Sequence, residues 1–422
     1  MDFDMLGLAP SLLERLAEAG LDQPTPIQAK AIPHAMEGRD VMGLAQTGTG
    51  KTIAFGLPLL DALIASPGKP APKTVRSLIL APTRELVNQI ADSLRPLAGG
   101  AKIGIATVVG GVSINRQIGR LERGADILVA TPGRLLDLLN QKAVTLSETK
   151  FLVLDEADQM LDMGFIHDLR KIANHIPKER QTLLFSATMS KQMNEIAQTF
   201  LQNPVRVEVA PPGKPADKVD QEVRFVPKEG KTEHLAELLA THRDAQALVF
   251  SRTKHGADRL MRQLEKAGFP GAALHGNRSQ NQRDRALKAF RDGQIRVLIA
   301  TDVAARGIDI PEVEFVYNYD LPNIADTYIH RIGRTGRAGR SGKAVSFCAP
   351  DELEYLRDIE KLLGKSIPVA LDAAWAHMAP VSAPKPARNR RRGQKPAPKP
   401  QGGAQGKPRG SRPRRAKSSA RG

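Results

Sequence analysis

Residues 45–52 read Ala-Gln-Thr-Gly-Thr-Gly-Lys-Thr, and few octapeptides constrain a fold as tightly. Glycines let backbone N–H groups close around phosphate oxygens, a lysine neutralises the β- and γ-charge, and the final hydroxyl can ligate Mg2+. Such a loop works where a strand of a parallel sheet gives way to a helix. The segment is therefore expected to bind a nucleoside triphosphate through Gln46, Thr47, Gly48, Thr49, Gly50, Lys51 and Thr52, with a helix running from Thr52. Ala45 stands where the strict pattern has its first glycine. The competing interpretation is a chance Gly-rich turn, which the Gly-Lys-Thr core behind a plausible strand disfavours.

The rest of the chain suits that requirement. β-rich runs at 77–80, 105–109, 127–130, 151–154 and 183–185 alternate with amphipathic segments, and a second series follows at 247–250, 297–300, 313–317 and 344–347. Their near-continuous apolar character is what strands covered on both faces need. The expected fold class is α/β, with two tandem doubly wound parallel-sheet domains at 1–209 and 219–370. Between them, residues 210–218 hold three Pro, one Gly and no large apolar side chain, the composition of a linker that lets two lobes reorient. The net charge is +17, of which +14 falls within 377–422, where five Lys and nine Arg meet no acid. Residues 376–422 are expected to form a basic, disordered tail.

Several classes are set aside by the same reading. The longest nearly apolar stretch, 53–65, contains Pro58 and Asp61 and falls short of the ~20 residues a membrane-spanning helix needs. No secretory leader is expected, and a lone Cys348 excludes an internal disulfide or a cysteine-built metal site. A cytoplasmic, non-membrane protein is expected.

Asp155-Glu156-Ala157-Asp158 closes the apolar run at 151–154, at the sheet edge where open α/β folds bind ligands. Asp155 can hold Mg2+ through water, and Glu156 can orient and deprotonate an attacking water. Alone, the tetrad fits a solvated acidic turn as well; an upstream phosphate loop favours the catalytic role. The positive charge that phosphoryl transfer needs appears in His330-Arg331-Ile332-Gly333-Arg334-Thr335-Gly336-Arg337. Arg334 and Arg337 can both reach a phosphate delivered by the first lobe, as arginine fingers. The plainer alternative is a basic surface segment.

Taken in this order, the residues resemble a DEAD-box ATP-dependent RNA helicase, over Phe3 to about Pro368. The resemblance implies two tandem RecA-like domains, ATP with Mg2+, and RNA as partner. Gly20 to Gln28 looks like the family's adenine-reading Q motif, with Phe3 at the spacing of its upstream aromatic and Leu21 where many members carry an aromatic on the base. Gln28 would pair with adenine, for which a side-chain amide supplies both donor and acceptor. RNA contacts are implied for Pro82, Thr83, Arg84, Gly110, Gly111, Thr131 and Arg134, and in the second lobe for Arg252, Gln280, Arg283 and Thr301. Such contacts grip phosphates without reading sequence. Asp309 would lie near the ribose and Arg306 at the lobe interface. Ser186-Ala187-Thr188 is similar to the motif that links hydrolysis to strand separation, bonding toward Asp158, and His330 would couple to the acidic tetrad.

Family behaviour implies that ATP and one RNA strand together close the lobes and bend the strand, which a duplex cannot follow. A basic tail on a minimal core looks like the bacterial RhlE-type branch, whose context is ribosome assembly or RNA turnover, with ribosomal-precursor or RNA-degradation complexes as partners. The core is expected to be monomeric. The tail should bind RNA by counterion release, the alternative being a solubilising extension. Two other functions share these motifs: an ATP-dependent RNA clamp or annealing protein, and a DNA helicase of the wider superfamily, against which the Q motif, the acidic tetrad and Ser186-Ala187-Thr188 argue together.

Overall fold

A phosphate-binding loop needs a strand before it, and Val41–Leu44 supplies it as β1, fully buried and paired in parallel on both sides. The protein is described by a computed structural model over residues 2–45, 48–209, 219–305, 313–336 and 342–370. The first sheet continues with β2 (Val75–Leu80), β3 (Ile105–Val108), β4 (Ala125–Ala130), β5 (Phe151–Leu154), β6 (Gln181–Ser186) and β7 (Val205–Glu208). Their order is β3-β4-β2-β5-β6-β1-β7, all parallel. A second sheet holds β8 (Val219–Phe225), β9 (Ala247–Phe250), β10 (Gly271–Leu274), β11 (Val297–Ala300), β12 (Phe315–Asn318) and β13 (Gly342–Cys348). It runs β10-β11-β9-β12-β13-β8, again all parallel. The linker and tail segments foreseen at 210–218 and 376–422 lie outside the described residues.

Parallel strands require crossover helices, which cover both faces of each sheet. Successive residues of one strand therefore enter different cores. Leu78 and Leu184 pack on one face of the first sheet, whereas their neighbours Ile79 and Phe185 pack on the other with Phe55 and Leu60. Truncating a fully buried leucine such as Leu78 to alanine costs about 2–5 kcal/mol.

β7, β8 and β10 are absent from the sequence expectation, and β1 enters it only as the strand ahead of the phosphate loop, without bounds. β1 and β10 carry Gly43 and Gly271, which weaken the β signal. Both glycines permit close approach: a Cβ at Gly43 would sit 2.5 Å from the Phe185 ring, and one at Gly271 would sit 2.6 Å from the Val297 carbonyl oxygen. β7 and β8 lie at sheet edges and interleave charged residues with valines, so they lack the continuous apolar run of a central strand. The strand expected at 313–317 forms instead at Phe315–Asn318. Among the described residues, no helix is long and apolar enough to cross a membrane.

Candidate functional site

Parallel topology sends every functional loop of the first sheet to one edge. The phosphate loop follows β1, Pro82 and Thr83 follow β2, Gly110 and Gly111 follow β3, Thr131 follows β4, Asp155 follows β5, and the Ser186 motif ends β6. Gly50 hands the loop to the helix Lys51–Ala65, which starts one residue before the expected position. Its φ of 92° suits glycine, and a Cβ there would collide with Gln28 Nε2. Gln28 is buried; its Oε1 accepts from the Thr25 N–H at 2.9 Å and its Nε2 donates to the Gly50 carbonyl at 3.0 Å. The amide expected to read the base is thus tied directly to the phosphate loop. Phe3 packs in the first lobe's core at 5% exposure, whereas Leu21 is exposed. Gln46 and Thr47 lie outside the described residues.

Lys51 opens the helix with its side chain almost wholly buried. Its Nζ has no hydrogen-bond partner among the described residues and lies 3.8 Å from Asp155 Oδ1. A buried ammonium without hydrogen bonds is costly unless a ligand completes its shell. Burial likewise pushes the Asp155 carboxyl up to about 6, against the opposing pull of Lys51. Next to it, Glu156 is buried in the left-handed region at φ 51°, and its N–H donates to Asp155 Oδ1 at 3.0 Å. A non-glycine residue held there costs on the order of 1–3 kcal/mol, strain that concentrates at functional sites.

The tetrad's last residue anchors the β6 loop. Asp158 Oδ2 accepts from Ala187 N and Thr188 N, each at 3.0 Å, and from Thr188 Oγ1 at 3.2 Å. Ser186 Oγ donates to the Thr188 carbonyl at 2.7 Å, which rounds the loop. The expected contact between this motif and Asp158 is therefore present.

The residues foreseen as RNA contacts form a second group. Thr83 Oγ1 caps the helix Arg84–Leu97 by accepting from Leu86 N at 3.3 Å. The Arg84 guanidinium lies against Gly111, where φ is 72° and any Cβ would overlap it. Arg134 Nη1 donates to the Val112 carbonyl at 3.0 Å. Across the lobes, Arg84 Nη1 approaches Gln280 Oε1 at 3.5 Å, Gln280 Nε2 donates to Glu85 Oε1 at 3.1 Å, and Arg283 Nη1 lies 3.0 Å from the same oxygen. Burial lowers the Arg84 pKa; Arg283 and Arg134 add to that and Glu85 opposes it.

Arg252 is placed differently. Its guanidinium donates to the Leu321 carbonyl at 3.1 and 3.3 Å, bonds Glu352 and stacks over the Tyr355 ring at 5.0 Å, all within the second lobe. Thr301 is buried at the end of β11, His330 is half-buried on the helix Ala325–Ile332, and Arg334 is buried beyond that helix. Arg306, Asp309 and Arg337 lie outside the described residues.

Sequence reasoning missed Glu85 and Arg331. Arg331 is 1% exposed and grips Asp302 with Nε and Nη2 at 2.5 and 2.7 Å, Asn318 Oδ1 at 3.1 Å and the Asp320 carbonyl at 2.6 Å, with its face on Phe250. His330 and Arg331 are neighbours on that helix and so point to different sides of it, a local hint of a distinct role.

Comparison with known proteins agrees with this geometry. Residues 25–196 match the family model described as DEAD/DEAH box helicase, and residues 230–339 match the helicase conserved C-terminal domain. The DEAD-box ATP-dependent RNA helicase CshA of Streptococcus pneumoniae is 45% identical over 365 residues, spanning 86% of this chain and 69% of that protein. S. cerevisiae Dbp5 bound to RNA and ADP BeF3 is 34% identical with a TM-score of 0.75, covering 87% of this chain and 95% of that one. A DEAD box protein from the hyperthermophile Methanococcus jannaschii is 38% identical with a TM-score of 0.50, covering 88% and 99%. The two parallel sheets with their flanking helices are RecA-like domains.

Proposed function

We propose that this chain, which belongs to the DEAD-box ATP-dependent RNA helicases, closes its two lobes over one ATP and one RNA strand. It is an ATP-hydrolysing enzyme that binds and remodels RNA. Lys51 receives the β- and γ-phosphates, completing the shell its buried Nζ lacks. Thr52 and Asp155 would hold Mg2+, which when bound neutralises charge on the phosphate oxygens. Glu156 orients a water and takes its proton as the water oxygen bonds the γ-phosphorus and the bond to the ADP oxygen breaks. Arg334 and Arg337 bring positive charge from the second lobe. Phe3, Leu21 and Gln28 serve the base, Asp309 the ribose, and Arg306 and His330 couple the nucleotide to closure.

The observation that carries this reading is the cluster of Arg84, Gln280 and Arg283 around Glu85, which joins RNA-contact candidates of both lobes. It supports one phosphate track crossing the interface between domains at 1–209 and 219–370; a linker at 210–218 and an RNA-tethering tail at 376–422 rest on their composition. An RhlE-type, cytoplasmic role in ribosome assembly or RNA turnover fits that arrangement. The test is ATP hydrolysis with single-stranded RNA, with matched DNA and with neither. RNA alone should stimulate it, and Glu156→Gln should lower the stimulated rate by about 10²–10⁴-fold. Equal stimulation by DNA would overturn the RNA assignment. RNA-stimulated hydrolysis without strand displacement would turn the reading to a clamp or annealing protein.

A further inference from the structure

The second lobe contains a cavity of ≈ 580 Å³ that the nucleotide and RNA assignments leave unused. Its floor is the helix Lys254–Lys266, along which His255, Asp258, Arg259 and Arg262 stand three, four and seven residues apart and so share one face. Arg278, from the loop after β10, closes the other side. Arg259 and Arg262 are exposed, and neither has an ion-pair partner among the described residues. Asp258, the one acid in the wall, is already engaged by His275 Nε2 at 2.9 Å and Arg278 Nη2 at 2.6 Å. That pair fixes the Arg278 guanidinium, while its Nε is buried with no hydrogen-bond partner among the described residues. Met261 is the only large apolar side chain in the lining, so the cavity offers little to a flat or greasy ligand and much to an anion.

Its place in the lobe indicates the source of that anion. Thr253 lines the cavity and directly follows Arg252; Arg278 lines it and stands two residues before Gln280. Both segments expected to hold RNA thus run straight into the cavity wall. We propose that this cavity is an additional phosphate site, in which Arg259, Arg262 and Arg278 hold the backbone of an RNA strand as it leaves the track between the lobes. The site rests on the RNA track proposed above and extends it onto the outer face of the second lobe. Arginine suits the task because its planar fork meets two phosphate oxygens at once, and the contacts carry no base information.

The experiment measures poly(U) binding by the full chain across a salt series, in wild type, Arg259→Ala/Arg262→Ala, Arg259→Lys/Arg262→Lys and Lys266→Ala. The basic tail is common to all four. Removing one cation from the phosphates of a single strand flattens the plot of log affinity against log salt by about 0.7, so the double alanine variant should be shallower by about 1.4. The double lysine variant should recover most of that slope, and Lys266→Ala, on the same helix outside the cavity, should keep it all. An unchanged slope in the double alanine variant overturns the site, while RNA-stimulated hydrolysis by wild type in the same preparation keeps the track itself standing. Absence of RNA stimulation in wild type would instead strike the track. Tripolyphosphate, titrated with ADP held saturating at the phosphate loop, separates the two phosphate sources: if the double alanine variant binds less tripolyphosphate than wild type but keeps the wild-type poly(U) slope, the cavity holds a small free anion and the RNA assignment is wrong.

Discussion

Glu85 of the first lobe lies 3.0 Å from Arg283 of the second, and the oxygen that meets Arg283 also accepts from Gln280. Both side chains of the ion pair are largely buried, Arg283 at 13% and Glu85 at 8% exposure, so the pair is screened far less than a surface one. Glu85 is thus the hinge pin between two groups of RNA-contact candidates. Removing one partner of a buried interfacial pair typically costs about 2–5 kcal/mol. Glu85→Ala should therefore raise the RNA concentration for half-maximal ATPase stimulation by at least about tenfold. An RNA titration that overlays wild type would show the pair to be incidental.

Lys51 predicts a separation of stability from activity. Its Nζ makes no hydrogen bond among the described residues, so Lys51→Met removes a costly buried charge and keeps the packing of the stem. Below a pH of about 6 Asp155, left without that neighbour, holds its proton and leaves no bare charge behind. Below that pH the nucleotide-free variant should melt no lower than wild type, and its ATP hydrolysis should fall by at least about 10²-fold. A marked fall in melting temperature would mean that Lys51 supports the fold.

Asp155 makes nucleotide-free, metal-free stability depend on pH. Its folded carboxyl is raised from 3.8 to about 6, mainly because burial disfavours the charge. Between those values the folded state binds more proton than the unfolded one, so this contribution is fully present below 3.8 and is lost as pH rises toward 6. Asp155→Asn, which cannot ionise, should gain stability relative to wild type across that window. Parallel pH profiles for the two proteins would refute the assignment.

Asp158 holds two backbone N–H groups and a hydroxyl of the β6 loop with one oxygen. Asp158→Ala leaves these donors without their acceptor, at about 1–3 kcal/mol for each that stays buried. First-lobe melting should fall by at least about 4 °C, and strand displacement should fall more than ATP hydrolysis. Asp158→Asn, which keeps an acceptor oxygen, should fall less. An equal fall in both activities would mean that the contact does not couple them.

Local chemistry makes much of this site readable. The phosphate loop, the acidic tetrad at the end of β5 and the Asp158–Thr188 contact follow from residues that act within a few positions of a strand end. Three failures share another cause. Glu85 and Arg331 look like ordinary charges until distant segments supply their partners: Gln280 and Arg283 for one, Asp302, Asn318 and Asp320 for the other. β10 is hidden by Gly271, whose reason for being glycine is the Val297 carbonyl on another strand. Arg252 shows the converse: its motif suggests a ligand contact, whereas Glu352 and Leu321, about seventy to one hundred residues onward, occupy its guanidinium.

The two bonds of Gln28 fix more than a loop. A carboxamide can turn over and present its oxygen and nitrogen in either order, so a free glutamine can satisfy opposite patterns on different purine edges. Here the oxygen faces an N–H at Thr25 and the nitrogen faces a carbonyl at Gly50. Turning the group over would set donor against donor and acceptor against acceptor. With Gln28 at the base as proposed, polarity there is written by the main chain on either side, and a change of nucleobase preference would have to begin at Thr25 or Gly50 as much as at the glutamine itself.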